Sequence, residues 1–270
     1  MSENIPEIVG LSAFADNYIW VIRKAGLAIV VDPGDAAPVL RHLSETGDQL
    51  CAILLTHHHP DHVGGVPALL AALADKNVAV YGPASEAIAT VNHPLYGGEA
   101  ISIAPLGSEL RAEFEIINIP GHTRGHIAFH SKTLIPAGAI FCGDTLFAAG
   151  CGRLFEGTPV QMQASLQSIG VLPAPTHVYC GHEYTQANLR FASAVEPNNA
   201  AVRARSEAVA ALRKDSRNTL PSTISIELAT NPFLRWAAPE VIHAASQRLG
   251  RAPIDAVETF AAIREWKNKF

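Results

Sequence analysis

The sequence predicts an α/β body followed by a mostly helical tail, and three observations carry that expectation. Short β-branched or apolar runs alternate with stretches of helical spacing as far as His177–Cys180. From Glu183 onward the segments turn rich in Ala, Arg and Glu and read as helices. Hydrophobic residues make up 48% of the chain against 17% charged, which is enough apolar surface to offset the entropy of ordering and excludes a disordered chain.

Taken in order, residues 27–32 (LAIVVD) read as a buried strand broken by Pro33-Gly34-Asp35, and 36–44 as a helix. Residues 50–55 (LCAILL) form a second buried strand ending at Thr56, and 63–74 a helix with an alanine and leucine face. A strand over 78–81 and a short helix over 85–90 come next. Further strands are expected at 113–119, 127–130 and 139–142, then a helix at 160–169, and His177–Cys180 is the last clear strand. The tail helices are placed at 183–194, Ala200–Lys214, Pro239–Leu249 and 254–267, with breaks at 173–175 and 218–222. No internal repeat or low-complexity tract interrupts this pattern.

Twenty Lys+Arg against 25 Asp+Glu leave a formal charge of −5, which gives no general reason to bind nucleic acid or an anionic membrane. The longest apolar runs fall far short of the roughly 18 residues that span a bilayer. The start, MSENIPEIVG, lacks the basic and apolar regions of a secretory signal. Four cysteines are too few for a disulfide framework in a chain of this length, so a cytoplasmic protein is expected.

Twelve histidines against five tyrosines and three tryptophans point to where the chemistry lies. The run Thr56-His57-His58-His59-Pro60-Asp61-His62 follows a predicted buried strand and opens a predicted helix. A strand end holds its loop rigidly, as converging metal ligands require. His57 and His59 can face the same way, and Asp61 and His62 form a second pair. These four exceed what one open catalytic metal takes from protein, so two adjacent metals are expected. Solvated loop histidines or a helix cap are the bland alternative. Further ligands are sought at three other strand ends, in Gly121-His122-Thr123-Arg124-Gly125-His126, Gly143-Asp144-Thr145 and Gly181-His182-Glu183. Each of these signals is weak alone; together they point to one site at one edge of a sheet. His58 is read as a non-ligand, His126 and His130 as structural or supporting residues, and Asp32 as a turn residue able to orient a ligand histidine. Cys142 and Cys180 read as small buried hydrophobes, and Cys151 as non-catalytic.

The THHHPDH run, with GHT, GDT and GHEYT after it in that order, resembles the metallo-β-lactamase superfamily. Within it the chain is similar to the glyoxalase II, or hydroxyacylglutathione hydrolase, family over essentially its whole length. Asp16-Asn17-Tyr18, Gly150-Cys151-Gly152-Arg153, Cys180-Gly181-His182-Glu183-Tyr184-Thr185, Asn231-Pro232-Phe233-Leu234-Arg235 and Arg264-Glu265-Trp266-Lys267 carry that narrower likeness. The resemblance implies a four-layered αβ/βα sandwich with a C-terminal helical domain, divided here into a catalytic domain over 1–175 and a glutathione-binding domain over 176–270. It implies that His57, His59 and His122 hold one divalent metal, that Asp61, His62 and His182 hold a second, and that Asp144 bridges both. Zinc is the expected metal, with iron or manganese tolerated. Asp61 and Asp144 would act with a hydroxide shared between the metals, in a monomer that hydrolyses S-D-lactoylglutathione, a methylglyoxal adduct, to glutathione and D-lactate. Arg153, Tyr184, Arg264 and Lys267 would bind the glutathione. Phe155 falls where some members have a tyrosine and can contribute only packing.

From the residues alone, Arg264 and Lys267 read as ordinary solvated charges on the last helix; the resemblance reverses this. Three other readings compete. A persulfide dioxygenase with a single iron would leave Asp61, His62 and His182 without purpose. A β-lactamase proper commonly has cysteine where Asp144 stands. A structural metal module would be closed by four ligands.

Overall fold

The computed structural model describes residues 5–73 and 78–270. They divide into two compact units, one running as far as Asn118 and including Arg124–Gly143, the other of Ile119–Thr123 with Asp144–Phe270.

The first unit begins with β1 (Glu7–Ala13), β2 (Asn17–Lys24) and β3 (Leu27–Val31), joined antiparallel in chain order. Ala25 and Gly26, with φ of 51° and 80°, close the β2–β3 hairpin in two residues, a geometry whose twist matches the flanking strands. Only the third of these strands was legible from apolar spacing. The chain then crosses through α1 (Ala36–Thr46) to β4 (Gln49–Leu54), which lies parallel to β3. Asp35 caps α1 by accepting from Ala37 N–H at 3.0 Å, and Gly47 ends it at φ 73°.

The single helix expected over 63–74 is instead two, α2 (Pro60–Val63) and α3 (Val66–Ala72), and Ala74 lies outside the described residues. Gly64 and Gly65 make the break. A Cβ on Gly65 would lie 2.5 Å from Pro33 O and 2.6 Å from Ala36 N, so the backbone presses directly on the β3–α1 turn. Next come β5 (Ala79–Pro83), parallel to β4, and β6 (His93–Leu95), parallel to β5. The short helix expected over 85–90 is a series of turns, closed by Glu86 N–H to Pro83 O and Ile88 N–H to Glu86 O. Successive residues of β3, which point to opposite faces, are all buried from Ala28 to Val31; this sheet is covered on both sides. One face packs Ile19, Val30, Ile53 and Val80 with Val39, Val66 and Leu69 of the helices.

An antiparallel meander follows, β7 (Ala100–Ile103), β8 (Ala112–Asn118), β9 (Ile127–Ser131) and β10 (Ala139–Gly143). In β8 Phe114 and Ile116 are buried while Glu113 and Glu115 are exposed, the alternation of a one-sided strand.

The second unit holds the hairpin β11 (Leu146–Phe147) and β12 (Gly150–Cys151), then α4 (Pro159–Gly170), opened by a capping box between Thr158 and Gln161. After β13 (His177–Cys180) come α5 (Thr185–Val195), α6 (Ala200–Lys214), β14 (Ser222–Thr223), α7 (Ile224–Thr230), α8 (Pro239–Leu249) and α9 (Ala256–Lys269). Thus β13 is not the last strand: β14 pairs antiparallel with it. Two residues are too short to show a period. The helical part packs around aromatics, Phe191 stacking on Phe233 at 5.9 Å and meeting Trp266 edge-on at 5.0 Å. No helix among the described residues is long and apolar enough to cross a membrane, and none of the four cysteines is in a disulfide.

A buried carboxylate ties this unit together. Glu227, with no exposed surface, accepts from Arg205 Nη2 at 2.6 Å, Ala149 N–H at 2.8 Å and Asn231 Nδ2 at 3.0 Å. Asn231 Nδ2 also reaches Phe147 O and Gly150 O, pinning the β11–β12 turn. Removing one partner of a buried pair strands the other. Arg205→Ala is therefore expected to cost about 3 kcal/mol in a urea unfolding curve; a loss below about 1 kcal/mol would show that solvent reaches Glu227 freely.

Candidate metal centre

Each unit presents its own set of imidazoles and carboxylates at strand ends. In the first, β4 runs out into Leu55 and Thr56, and the histidine loop begins. Asp32, just past the end of β3, organises it. One oxygen accepts from Thr56 N–H at 2.8 Å; the other accepts from Thr56 Oγ1 at 2.7 Å and from His62 Nδ1 at 3.1 Å. Asp32 thus forms the expected turn, with φ 51°, and also orients a ligand-type histidine.

His57 and His62 are buried and their rings lie 4.1 Å apart. His57 Nε2 faces His59 Nδ1 at 3.2 Å, and His57 Nδ1 is 3.0 Å from Thr56 Oγ1. Asp61 lies beside them: its Oδ2 is 3.6 Å from His62 Nε2 and accepts from Asn17 Nδ2 at 3.0 Å. Asp32, His57 and His62 offer ligand atoms within 4.8 Å of one another. His126 stacks on His57 at 4.5 Å as a supporting ring. Gly143, at φ 46°, ends β10 against them. A Cβ there would collide with Thr56 Oγ1 and come within 2.8 Å of His126 Cε1.

In the second unit Asp144 Oδ2 lies 3.4 Å from His122 Nε2 and 3.2 Å from His182 Nε2. His122 Nδ1 donates to Arg153 O at 2.9 Å, which turns Nε2 toward Asp144. His182 stacks flat on Tyr184 at 4.7 Å and meets Phe147 edge-on. Phe155, though 62% exposed, touches the His122 ring edge-on at 5.2 Å, a packing contact as expected.

This donor set fits divalent cations. Nitrogens facing each other at 3.2 Å, and a carboxylate oxygen between two imidazole nitrogens, are spacings that ligands sharing a cation adopt. His62 and His122 are each oriented by one ring nitrogen, on a carboxylate and on a carbonyl, which turns the other toward the Asp61 and Asp144 carboxylates as a metal ligand is turned. Mixed imidazole and carboxylate donors suit zinc, iron and manganese alike.

The residues expected to bind substrate also belong to the second unit. Arg264 is only 4% exposed, so the solvated-face reading fails for it. Its Nη1 donates to Cys151 O at 2.9 Å and its Nη2 to Asn268 Oδ1 at 3.0 Å, while its buried Nε has no hydrogen-bond partner among the described residues. Lys267 is half-buried, with Nζ 5.0 Å from the Phe191 ring centroid. Burial, reinforced by the charge of Arg264, lowers its pKa to about 8. Arg153 adds exposed positive charge. Asn17 was legible only as part of a motif; its grip on Asp61 depends on a contact 44 residues away in sequence.

Fold and ligand types together define a metallohydrolase-type scaffold. Residues 14–182 match the metallo-β-lactamase superfamily. The fold is its αβ/βα sandwich with a C-terminal helical region, and a protein solved in a di-iron-bound form, TTHA1623, shares it at TM-score 0.56 and 27% identity over 84% of this chain and 100% of its own. Residues 183–270 match the hydroxyacylglutathione hydrolase C-terminus. The chain is 49% identical over 264 residues to a hydroxyacylglutathione hydrolase of Nitrosomonas eutropha, covering 98% of this chain and 99% of the relative. It is 51% identical over 267 residues to one from Pseudomonas aeruginosa, with the same shares. The chain belongs to the hydroxyacylglutathione hydrolase family, and the persulfide dioxygenase, β-lactamase and structural-module readings are set aside.

Losing the Asp32 carboxylate would leave three donors buried without their acceptor. Unmade buried bonds cost about 1–3 kcal/mol each, so Asp32→Ala should lower unfolding free energy by at least about 3 kcal/mol. A near-wild-type denaturation midpoint would show that the donors find other partners.

Proposed function

We propose that this chain is a metal-dependent thioester hydrolase that converts S-D-lactoylglutathione to glutathione and D-lactate. One observation carries the reading: about half of the residues are shared, along nearly the full length, with hydroxyacylglutathione hydrolases. We assign residues 1–175 to a catalytic domain and 176–270 to a mostly helical glutathione-binding domain. His57, His59 and His122 would hold one divalent metal, Asp61, His62 and His182 a second, and Asp144 both; zinc is favoured, and iron or manganese would be accepted. Bound there, the two cations would supply Lewis acidity and lower the pKa of water from about 15.7 toward 7.

The chain's own residues set the rest. Asn17 holds the Asp61 carboxylate at 3.0 Å, and the Arg153 carbonyl fixes the His122 ring at 2.9 Å. These fixed groups make reorganisation small when charge develops on the thioester oxygen. The leaving thiolate, whose acid has a pKa of about 8.5 in the cysteine model, departs without strong acid help. Glutathione carries two carboxylates; Arg153, Arg264 and Lys267 would attract them, and Tyr184 would line the same site. Every proposed ligand comes from one chain, so a monomer suffices. Four cysteines outside any disulfide suit the reducing cytoplasm.

Asp144→Ala should cut bound metal well below two per chain by elemental analysis and abolish thioester hydrolysis. Two retained metals with full activity would refute the bridging role. Lys267 attracts carboxylate only while protonated. Its depressed pKa of about 8 means the charge is present below pH 8 and lost above it. KM for the glutathione thioester should therefore rise as pH passes 8 while kcat changes less, and Lys267→Met should raise KM and flatten that rise. A KM unchanged by the substitution would return Lys267 to a purely structural role.

A further inference from the structure

We propose that Glu86 is a positioning residue that clamps two histidine-bearing segments of the first unit and thereby tightens metal binding, an inference that rests on the ligand assignment above. Glu86 lies in the turns after β5, on neither segment, and its side chain is only 3% exposed. Each carboxylate oxygen serves one segment. Oε2 accepts from His58 Nδ1 at 3.0 Å, and Oε1 accepts from Gly125 N–H at 3.0 Å. His58 stands between His57 and His59. Gly125 directly precedes His126, whose ring stacks on His57 at 4.5 Å. One carboxylate therefore fixes both the loop that carries the ligand-type imidazoles and the ring that backs them.

The approach is close. A Cβ on Gly125 would collide with Ser85 Oγ and lie 2.5 Å from Glu86 Cγ, so only glycine lets the carboxylate reach the amide. A carboxylate this buried is held by its hydrogen bonds, which gives the clamp one geometry rather than several. Glu86 is not among the proposed metal ligands, and its hold on them runs through His58 and Gly125.

The test is competition between the zinc-loaded protein and a chromophoric chelator, read as the zinc dissociation constants, beside thermal unfolding. Partners of metal ligands typically change affinity by about 10–100-fold. Glu86→Ala should weaken zinc binding about 10-fold. Glu86→Gln should restore most of that loss, because its amide oxygen still accepts from Gly125 N–H and its amide nitrogen can donate to His58. Gly125→Ala keeps the carboxylate but displaces it, should weaken zinc similarly, and decides the matter if Glu86→Ala fails to fold. Zinc held as tightly in Glu86→Ala or Gly125→Ala as in wild type, whatever their melting temperatures, would overturn the proposal and leave Glu86 a structural residue. Wild-type protein that does not bind a pair of zinc ions would instead overturn the ligand assignment, and this clamp with it.

Discussion

Imidazoles and carboxylates do not stay buried cheaply. Each must find partners within the protein or be stabilised by a bound cation, and that requirement shapes everything around the histidine loop. Asp32 meets it for the first unit by accepting from the Thr56 backbone, the Thr56 hydroxyl and the His62 ring at once. Its position just beyond β3 is possible only because β3 and β4 run parallel side by side. The parallel register brings the ends of both strands together, and the crossover helix α1 leaves those ends open. Without that arrangement the polar groups would have no common edge on which to gather.

Small residues then decide how closely the surrounding segments approach. Gly65 lets the chain after the loop press on the β3–α1 turn, and Gly143 lets β10 end against Thr56 and His126. A side chain at either place would push the backbone outward by more than coordination geometry tolerates. In the second unit, Glu227, Arg205 and Asn231 do comparable work on the β11–β12 turn. There the polar network is satisfied throughout, the condition under which burial favours a single arrangement.

The charge distribution follows the same logic. A chain with net charge −5 places Arg264 and Lys267 on its last helix, with Arg190 and Arg153 near enough to depress the lysine. Like charges brought together at partial burial carry an electrostatic cost. Such a cluster is a good receptor for an anion, since binding relieves the repulsion as well as forming new pairs.

By itself the sequence determined the local things. Buried strands at the centre of the chain, the ends of the long helices α6 and α8, and the ligand-type residues in the THHHPDH run all follow from period, caps and composition, which are properties of neighbours in the chain. Tertiary structure decided the rest. Strands β1 and β2 carry no clean alternation, because β2 is buried almost throughout. The split of α2 from α3 came from a backbone contact to Pro33, and the grips of Asp32 on His62, Asn17 on Asp61 and Glu86 on His58 join residues 28–44 positions apart. No periodicity records a contact at that range. It exists only once the sheet has brought its strand ends together.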